Sequence, residues 1–354
     1  MIGIIGGGLA AAKLVESYRE SGGDDEITIW SQDPHGPYHR PPLSKKVLRG
    51  EAKPEDALVH PHDWYAENGV DLRLGETVAS LDQLTTETIV IATGARPRPL
   101  EGAIGLRTLN SAVELRKRAT AARTAVVIGG GFIGCEVTAS LTMIGVEVTQ
   151  IVREPTVFAP LEAPPLSEAL HDLYRAHGVD LRLETSEVPR GADLTVAGIG
   201  VVPNIELGAD AGLEIGSAGG IVVDERFQTA QRGIYAIGDV AEFFDPLYRR
   251  HRRIEHWSNA AYHGTTLGKI LAGEDARYDT VSAFFSEEFG QVFKAFGDTR
   301  GHDETALEGD FHEASAVLRF LKGGKVIAAV LKGQDDDAES ALKDEIRAGA
   351  AASS

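Results

Sequence analysis

At 354 residues the chain exceeds what one hydrophobic core usually supports, since domains run to about 100–150 residues, so two or three domains are expected. Lys and Arg number 35 against 53 Asp and Glu, a net charge of −18, which argues against a nucleic-acid partner and against docking on an anionic membrane. Cys135 is the only cysteine, excluding an intrachain disulfide framework and a dithiol redox pair.

An apolar strand is expected at residues 2–5, reaching glycine by Gly6, and on that reading no charged leader with an apolar stretch is expected. Leu9, Lys13, Leu14 and Tyr18 then follow helical spacing until Ser21-Gly22-Gly23 stops the helix. Residues 26–30 form a second strand. A loop with four prolines, residues 33–43, excludes a central strand there. Residues 89–92 are a further buried-strand candidate. From Thr124 the opening pattern returns: strand 125–128, glycine turn 129–134, helix 132–144 and strand 146–152. The most apolar region, 125–152, carries Glu136 and Glu147 among its glycines and is too interrupted to span a bilayer; a cytoplasmic protein is expected.

Residues 220–239 read as strand, turn and strand, ending in Ile237-Gly238-Asp239, and 256–271 has helical character. Beyond about Asp279 come aromatic strands with Phe284, Phe285, Phe289, Phe293 and Phe296. A hairpin around Gly323-Gly324 and a helix over 336–347 complete a small α+β module. The small polar tail, residues 348–354, is expected to fray.

The first glycine turn, Gly6-Gly7-Gly8-Leu9-Ala10-Ala11, is a G-x-G-x-x-A; the second, Gly129-Gly130-Gly131-Phe132-Ile133-Gly134, is a full G-x-G-x-x-G. In such turns one glycine permits the tight bend, the next lets a pyrophosphate approach the backbone, and the last small residue lets helix close on strand. The phosphates then meet a helix N-terminus, whose N–H groups favour negative charge. Two copies, each in strand–turn–helix–strand context, predict two bound dinucleotides, a flavin and a nicotinamide.

The run Pro37-Tyr38-His39-Arg40-Pro41-Pro42-Leu43-Ser44-Lys45, with Ala92-Thr93-Gly94-Ala95-Arg96-Pro97-Arg98, Gly129–Glu136, Gly238-Asp239-Val240-Ala241 and Glu255-His256-Trp257, resembles the flavoprotein reductases that feed ferredoxins or rubredoxins in oxygenase systems. Apoptosis-inducing factor belongs to the same branch. The resemblance covers nearly the whole chain. It implies an α/β fold with two Rossmann-like dinucleotide-binding domains and a small α+β C-terminal domain. The FAD-binding domain would be residues 1–103 and 217–278, with an inserted NAD(P)-binding domain at 104–216 and the C-terminal domain at 279–354.

To FAD the resemblance assigns Gly6, Gly8, Leu9, Ala10, Gln32, Asp33, Arg40, Lys45, Val78, Thr93, Gly94, Ala95, Arg96, Gly238, Asp239, His256, Trp257 and Phe285. To the nicotinamide dinucleotide it assigns Gly129, Gly131, Phe132, Ile133, Gly134, Glu136, Val152, Arg153 and Gly200. Lys45 would lie near the reactive N5 edge of the flavin, where a fixed cation stabilises charge gained on reduction. Glu136 would lie beside the nicotinamide, paired with Lys45, ordering the site without acid–base chemistry. Asp239 would bind ribityl hydroxyls, since a carboxylate ending a buried strand needs donors. The helix opened by His256 and Trp257 would aim its positive dipole end at the flavin pyrimidine. Cys135 reads as a small buried hydrophobe.

Two departures from that family stand out. The carboxylate expected for the FAD ribose falls at Gln32, with Asp33 next. In the second unit Val152 occupies the acidic position that would bind the NAD 2′-hydroxyl, and Arg153 follows, which favours NADPH over NADH. Without a cysteine pair, electrons leave the flavin directly. The expected acceptor is an acidic iron–sulfur protein, a ferredoxin or rubredoxin, docking on the basic run Arg249, Arg250, Arg252 and Arg253. An oxidase or quinone reductase with a small-molecule acceptor, and a slow redox-responsive binding protein, are the alternatives. Either a monomer or a homodimer fits.

Overall fold

The computed structural model describes residues 1–352. The chain forms two compact units, residues 1–39, 57–96 and 202–280 in the first, and residues 40–56, 97–201 and 281 onward in the second.

The first unit is built on a five-stranded parallel sheet. Ile2–Ile5 lies at its centre, with Ile27–Ser31 and then Val70–Leu74 on one side, and Thr88–Ile91 and then Ile234–Ala236 on the other. The direction of winding reverses at the central strand, and the crevice at its carboxyl end is where such sheets bind ligands. Ile2–Ile5 is buried throughout, as a strand covered on both faces requires. Helix Leu9–Glu20 packs on helix Trp257–Leu271 closely enough that a Cβ on Gly264 would stand 2.3 Å from the Ala10 carbonyl oxygen, and one on Gly268 2.6 Å from that of Leu14. Ser17 Oγ donates to the Thr265 carbonyl at 2.8 Å across the same contact. A small sheet of Ile221–Val223, Ala241–Asp245 and Arg250–Arg252 completes this unit.

The second unit repeats the parallel pattern. Thr124–Ile128 is central, flanked by Glu147–Ile151 and Asp180–Arg182 on one side and by Leu194–Ala197 and Ile104–Gly105 on the other. It also contains an antiparallel sheet in the order Ala283–Glu288, Gln291–Gly297, Lys325–Lys332, Ala316–Lys322, Glu304–Gly309. The expected hairpin turns at Gly323-Gly324, both at positive φ (56° and 75°), the conformation a two-residue loop demands and glycine supplies. One apolar core serves both sheets, joining Cys135, Val152, Phe158 and Tyr174 to Phe293, Phe320 and Val330.

The terminal helix runs Asp336–Ala352, so residues 348–352, expected as a loose tail, are helical; residues 353–354 lie outside the described residues. Leu342, Ile346 and Ala350 are buried at four-residue spacing, which extends the packed stripe of the helix. Gly349 lets it approach the sheet so closely that a Cβ there would meet the Val326 carbonyl oxygen at 2.0 Å. Among the described residues no helix is long and apolar enough to cross a membrane.

Candidate functional site

In the first unit the chain leaves Ile2–Ile5 at Gly6, with φ +113°, where a Cβ would stand 2.2 Å from the Ala92 carbonyl oxygen. A side chain is excluded by conformation and by space alike. A Cβ on Gly7 would meet Ser31 Oγ at 2.6 Å. Gly8 caps helix Leu9–Glu20 without a side-chain acceptor, so the N–H groups of the first turn are left for a ligand. Leu9, Ala10 and Ala11 are buried beneath the turn. Gly238, from the far end of the unit, brings its Cβ position within 3.4 Å of Ala10 Cβ. That contact sets the turn Gly238–Val240, with the buried Asp239, against the glycine cradle.

The Gly238 turn is anchored by a residue that the sequence did not single out. His263 Nδ1 accepts the Gly238 N–H at 3.1 Å, which leaves the proton on Nε2. Among the described residues that Nε2 has no hydrogen-bond partner, and the ring lies among Phe227, Phe243 and Tyr278, edge-on to the last two. Burial lowers its pKa to about 3. Trp257 Nε1 donates to His39 Nδ1 at 3.0 Å, tying the start of helix Trp257–Leu271 to the proline-rich motif. His256 caps that helix, its Nδ1 accepting from Ser258 N at 3.3 Å.

The other residues expected near FAD take varied places. Gln32 is exposed just past the second strand, whereas Asp33 is held by the Tyr38 hydroxyl (2.7 Å) and the His35 N–H (3.1 Å). Val78 is half-buried. Thr93 and Asn204 bond reciprocally, each side chain donating to the other's carbonyl at 2.8 Å, and Gly94 adopts φ +65° above the buried Ala95. Arg96 turns to Asn204 Oδ1 and Glu206, both at 2.6 Å.

The second unit holds a matching cradle. Gly129 has φ +119°, and a Cβ there would stand 2.3 Å from the Gly198 carbonyl oxygen. One on Gly134 would stand 2.3 Å from the Gly129 carbonyl oxygen, so helix and turn touch. At Gly131, the uncapped N-cap of helix Phe132–Met143, a Cβ would meet nothing within 4 Å. This is the open station that a pyrophosphate needs. Phe132 stacks toward Phe284 (centroids 6.1 Å apart) and leans on Phe158 at 4.8 Å, walling an apolar recess that Phe285 also lines. Ile133 is 40% exposed at the mouth of the turn, and Gly200 is exposed with φ +90°. Val152 is buried against Gly130, while Arg153 is exposed and pairs with Glu154 at 2.9 Å.

One helical turn past that cradle lies the pair expected from the resemblance. Lys45 Nζ meets Glu136 Oε1 at 2.6 Å, both side chains buried. Lys45 also donates to the Pro41 carbonyl at 3.1 Å and its ammonium lies 5.7 Å from the Phe285 ring. The Ser44 hydroxyl donates to Glu136 Oε2, and Ser286 Oγ lies 3.0 Å from Glu136 Oε1. Ser286 also touches the fully buried Glu288. Ser44 sits inside the proline-rich motif. For Ser286 and Glu288 the signal was alternation, since residues two apart on a strand share a face. Arg40 Nε donates to the Arg107 carbonyl at 3.3 Å, bracing its loop. Cys135 is buried, and burial pushes its thiol well above the usual range; it is the small hydrophobe expected, not a nucleophile.

The basic run needs a correction. Arg252 is not a docking residue: it is buried and its guanidinium meets the fully buried Asp245 at 2.7 Å. Removing an arginine from such a pair to greet a partner would strand a buried carboxylate. Arg253 turns inward too, donating to Glu255 and to the Ala218 carbonyl. Arg249 and Arg250 alone are exposed.

Two glycine cradles on parallel sheets and a buried amine–carboxylate pair beside one of them define an enzyme class that works on two dinucleotides. The chain belongs to the pyridine nucleotide-disulphide oxidoreductase family, whose model matches residues 2–190 and 186–264. It is similar to putidaredoxin reductase of Pseudomonas putida, 33% identical over 92% of this chain and 86% of that one. It is also similar to rubredoxin-NAD(+) reductase of Ectopseudomonas oleovorans, 29% identical over 86% and 88%. The crystal structure of a covalent putidaredoxin reductase–putidaredoxin complex matches with a TM-score of 0.90 at 31% identity, covering 97% of this chain and 93% of that one.

Proposed function

We propose that the protein is an FAD-dependent NAD(P)H oxidoreductase that passes electrons one at a time to an iron–sulfur protein of the ferredoxin or rubredoxin type. The observation that carries this reading is the buried Lys45–Glu136 pair one helical turn from the second cradle. A fixed amine and carboxylate order a hydride-transfer site, where geometry matters more than proton donors. Bound FAD supplies the conversion of a two-electron hydride into single electrons. The chain supplies the seats. Gly6, Gly8, Leu9 and Ala10 would hold the flavin pyrophosphate and Asp239 the ribityl hydroxyls. Gly129, Gly131 and Gly134 would hold the nicotinamide dinucleotide, with Phe132 and Ile133 at its mouth. Phe285 would flank the flavin, and Gln32 with Asp33 its adenosine ribose. With a single cysteine, no disulfide intervenes and electrons leave the flavin directly.

NADPH is the favoured donor, because Val152 offers no acceptor to a 2′-hydroxyl and the exposed Arg153 offers charge to a 2′-phosphate. The proposed domain division is FAD-binding 1–103 and 217–278, NAD(P)-binding 104–216 and C-terminal 279–354, and the cytoplasm is the expected compartment. The test is an anaerobic titration of the purified protein followed by visible absorbance. A flavin spectrum should bleach with about one equivalent of nicotinamide per flavin, at lower NADPH than NADH. A colourless protein that takes up no flavin refutes the reading.

A further inference from the structure

We propose that Glu288 is a neutral carboxylic acid that, through the Ser286 hydroxyl, holds Glu136 as the ionised partner of Lys45, and is thereby a positioning residue for that pair. The inference deepens the oxidoreductase reading and rests on it for its kinetic consequence, though not for its chemistry.

The argument turns on one hydrogen. Ser286 Oγ stands within hydrogen-bonding reach of Glu136 Oε1 (3.0 Å) and of Glu288 Oε1, yet a hydroxyl carries a single proton. If both acids were ionised, one carboxylate would face an oxygen lone pair. If Glu288 carries the proton, it donates to Ser286, and Ser286 donates to Glu136, so both contacts join a donor to an acceptor. Glu136 then accepts from Lys45 and Ser286 at Oε1 and from Ser44 at Oε2. Among the described residues Glu288 Oε2 has no hydrogen-bond partner, tolerable for the carbonyl of a neutral acid and expensive for a carboxylate.

The surroundings agree. Glu288 is fully buried, and burial followed by the charge of Glu136 drives its carboxyl well above the ordinary range, outweighing the pull of Ser286 and Lys45. Glu287, next on the strand, adds repulsion and turns to Arg49 at 3.3 Å. From the helices packed against it, Cys135 and Tyr174 bring no positive charge; burial holds both protonated. Lys294 on the adjacent strand is engaged by Glu339. Lys45 is thus one cation for two acids, and one proton makes up the difference. Ionisation of Glu288 would add a second negative charge, claim the Ser286 hydrogen and compete for Lys45.

The test compares wild type, Glu288→Gln, Glu288→Ala and Ser286→Ala as purified flavin-loaded proteins. Infrared difference spectra at neutral pH, which need no turnover, should show one carboxylic-acid band in wild type that is absent from Glu288→Gln. In Ser286→Ala the band should persist at a shifted frequency. In stopped-flow reduction by NADPH and NADH, the wild-type rate should fall through a single ionisation as pH rises. Glu288→Ala should be slower by about tenfold, the value of one lost hydrogen bond. Glu288→Gln, whose amide donates to Ser286 at any pH, should restore the rate and flatten the profile. A wild-type spectrum without the band, or a Glu288→Gln profile identical to wild type, overturns the proposal. Should neither nicotinamide reduce the flavin, the oxidoreductase reading fails, while the infrared result still decides the state of Glu288.

Discussion

The two glycine cradles correspond station for station, and the differences between them bear on the different roles proposed for them. Gly6 stands to Ala92 as Gly129 stands to Gly198, with φ of +113° and +119° and carbonyl oxygens 2.2 and 2.3 Å from the forbidden Cβ. Each helix that follows, Leu9–Glu20 and Phe132–Met143, is twelve residues long and starts at an uncapped glycine. Around that shared frame the side chains diverge. Gly7 faces the Ser31 hydroxyl where Gly130 faces the Val152 methyls. The helix station that is Lys13 in the first copy is Glu136 in the second. Lys13 is partly exposed and pairs with Glu16 on its own helix; Glu136 is buried and pairs with Lys45 from a distant loop. The two cradles therefore share their backbone geometry, and one helix position, Lys13 in the first and Glu136 in the second, sets their surroundings apart.

The sharpest way to break this comparison is to put a methyl at each first glycine. Gly6→Ala and Gly129→Ala should each cost about 2–4 kcal/mol through strain and collision, with opposite phenotypes. Gly6→Ala should be isolated without flavin, whereas Gly129→Ala should keep its flavin and lose bleaching by nicotinamide. Identical absorbance behaviour would erase the division of labour. Next, Glu136→Gln should cost about 3–5 kcal/mol in chemical denaturation, because it leaves a buried ammonium without its counter-ion. Lys13→Gln, at the matching station, should cost under about 1 kcal/mol. Smaller than the Glu136→Gln effect, Val152→Glu with Arg153→Ala should move the ratio of NADPH to NADH efficiency about tenfold toward NADH, an unchanged ratio disproving the role of Arg153. The smallest effect belongs to Arg249→Glu with Arg250→Glu: acceptor reduction should slow about threefold at low ionic strength and recover in salt.

Much of this was legible because glycine spacing reports backbone requirements directly: both cradles and the repeat follow from Gly6–Ala11 and Gly129–Gly134. The Lys45–Glu136 pair was legible only through the resemblance, since 90 residues of chain say nothing about proximity. Arg252 misled because a run of like charges reads as surface until Asp245, on the neighbouring strand, is seen to bury it. Glu288 was passed over because its segment reads as an aromatic cluster. Yet the alternation of Phe284, Ser286 and Glu288 on one face of strand Ala283–Glu288 already put an acid where the core lies. His263 left no trace in the sequence, since a histidine inside an amphipathic helix becomes an anchor only through tertiary contact.

That histidine makes the protein vulnerable to acid. In an unfolded chain an imidazole takes its proton near pH 6.5, whereas His263 in the folded chain holds out to about 3. Between those values the unfolded state binds the extra proton, so folding weakens as the solution is acidified, by up to about 1.4 kcal/mol for each pH unit. Only at about pH 3 does the folded ring take its proton, and a charged ring can no longer accept the Gly238 N–H. Acidification between those values is therefore expected to lower folding stability before the folded ring itself is charged, and a His263→Gln chain should have a flatter acid-unfolding curve.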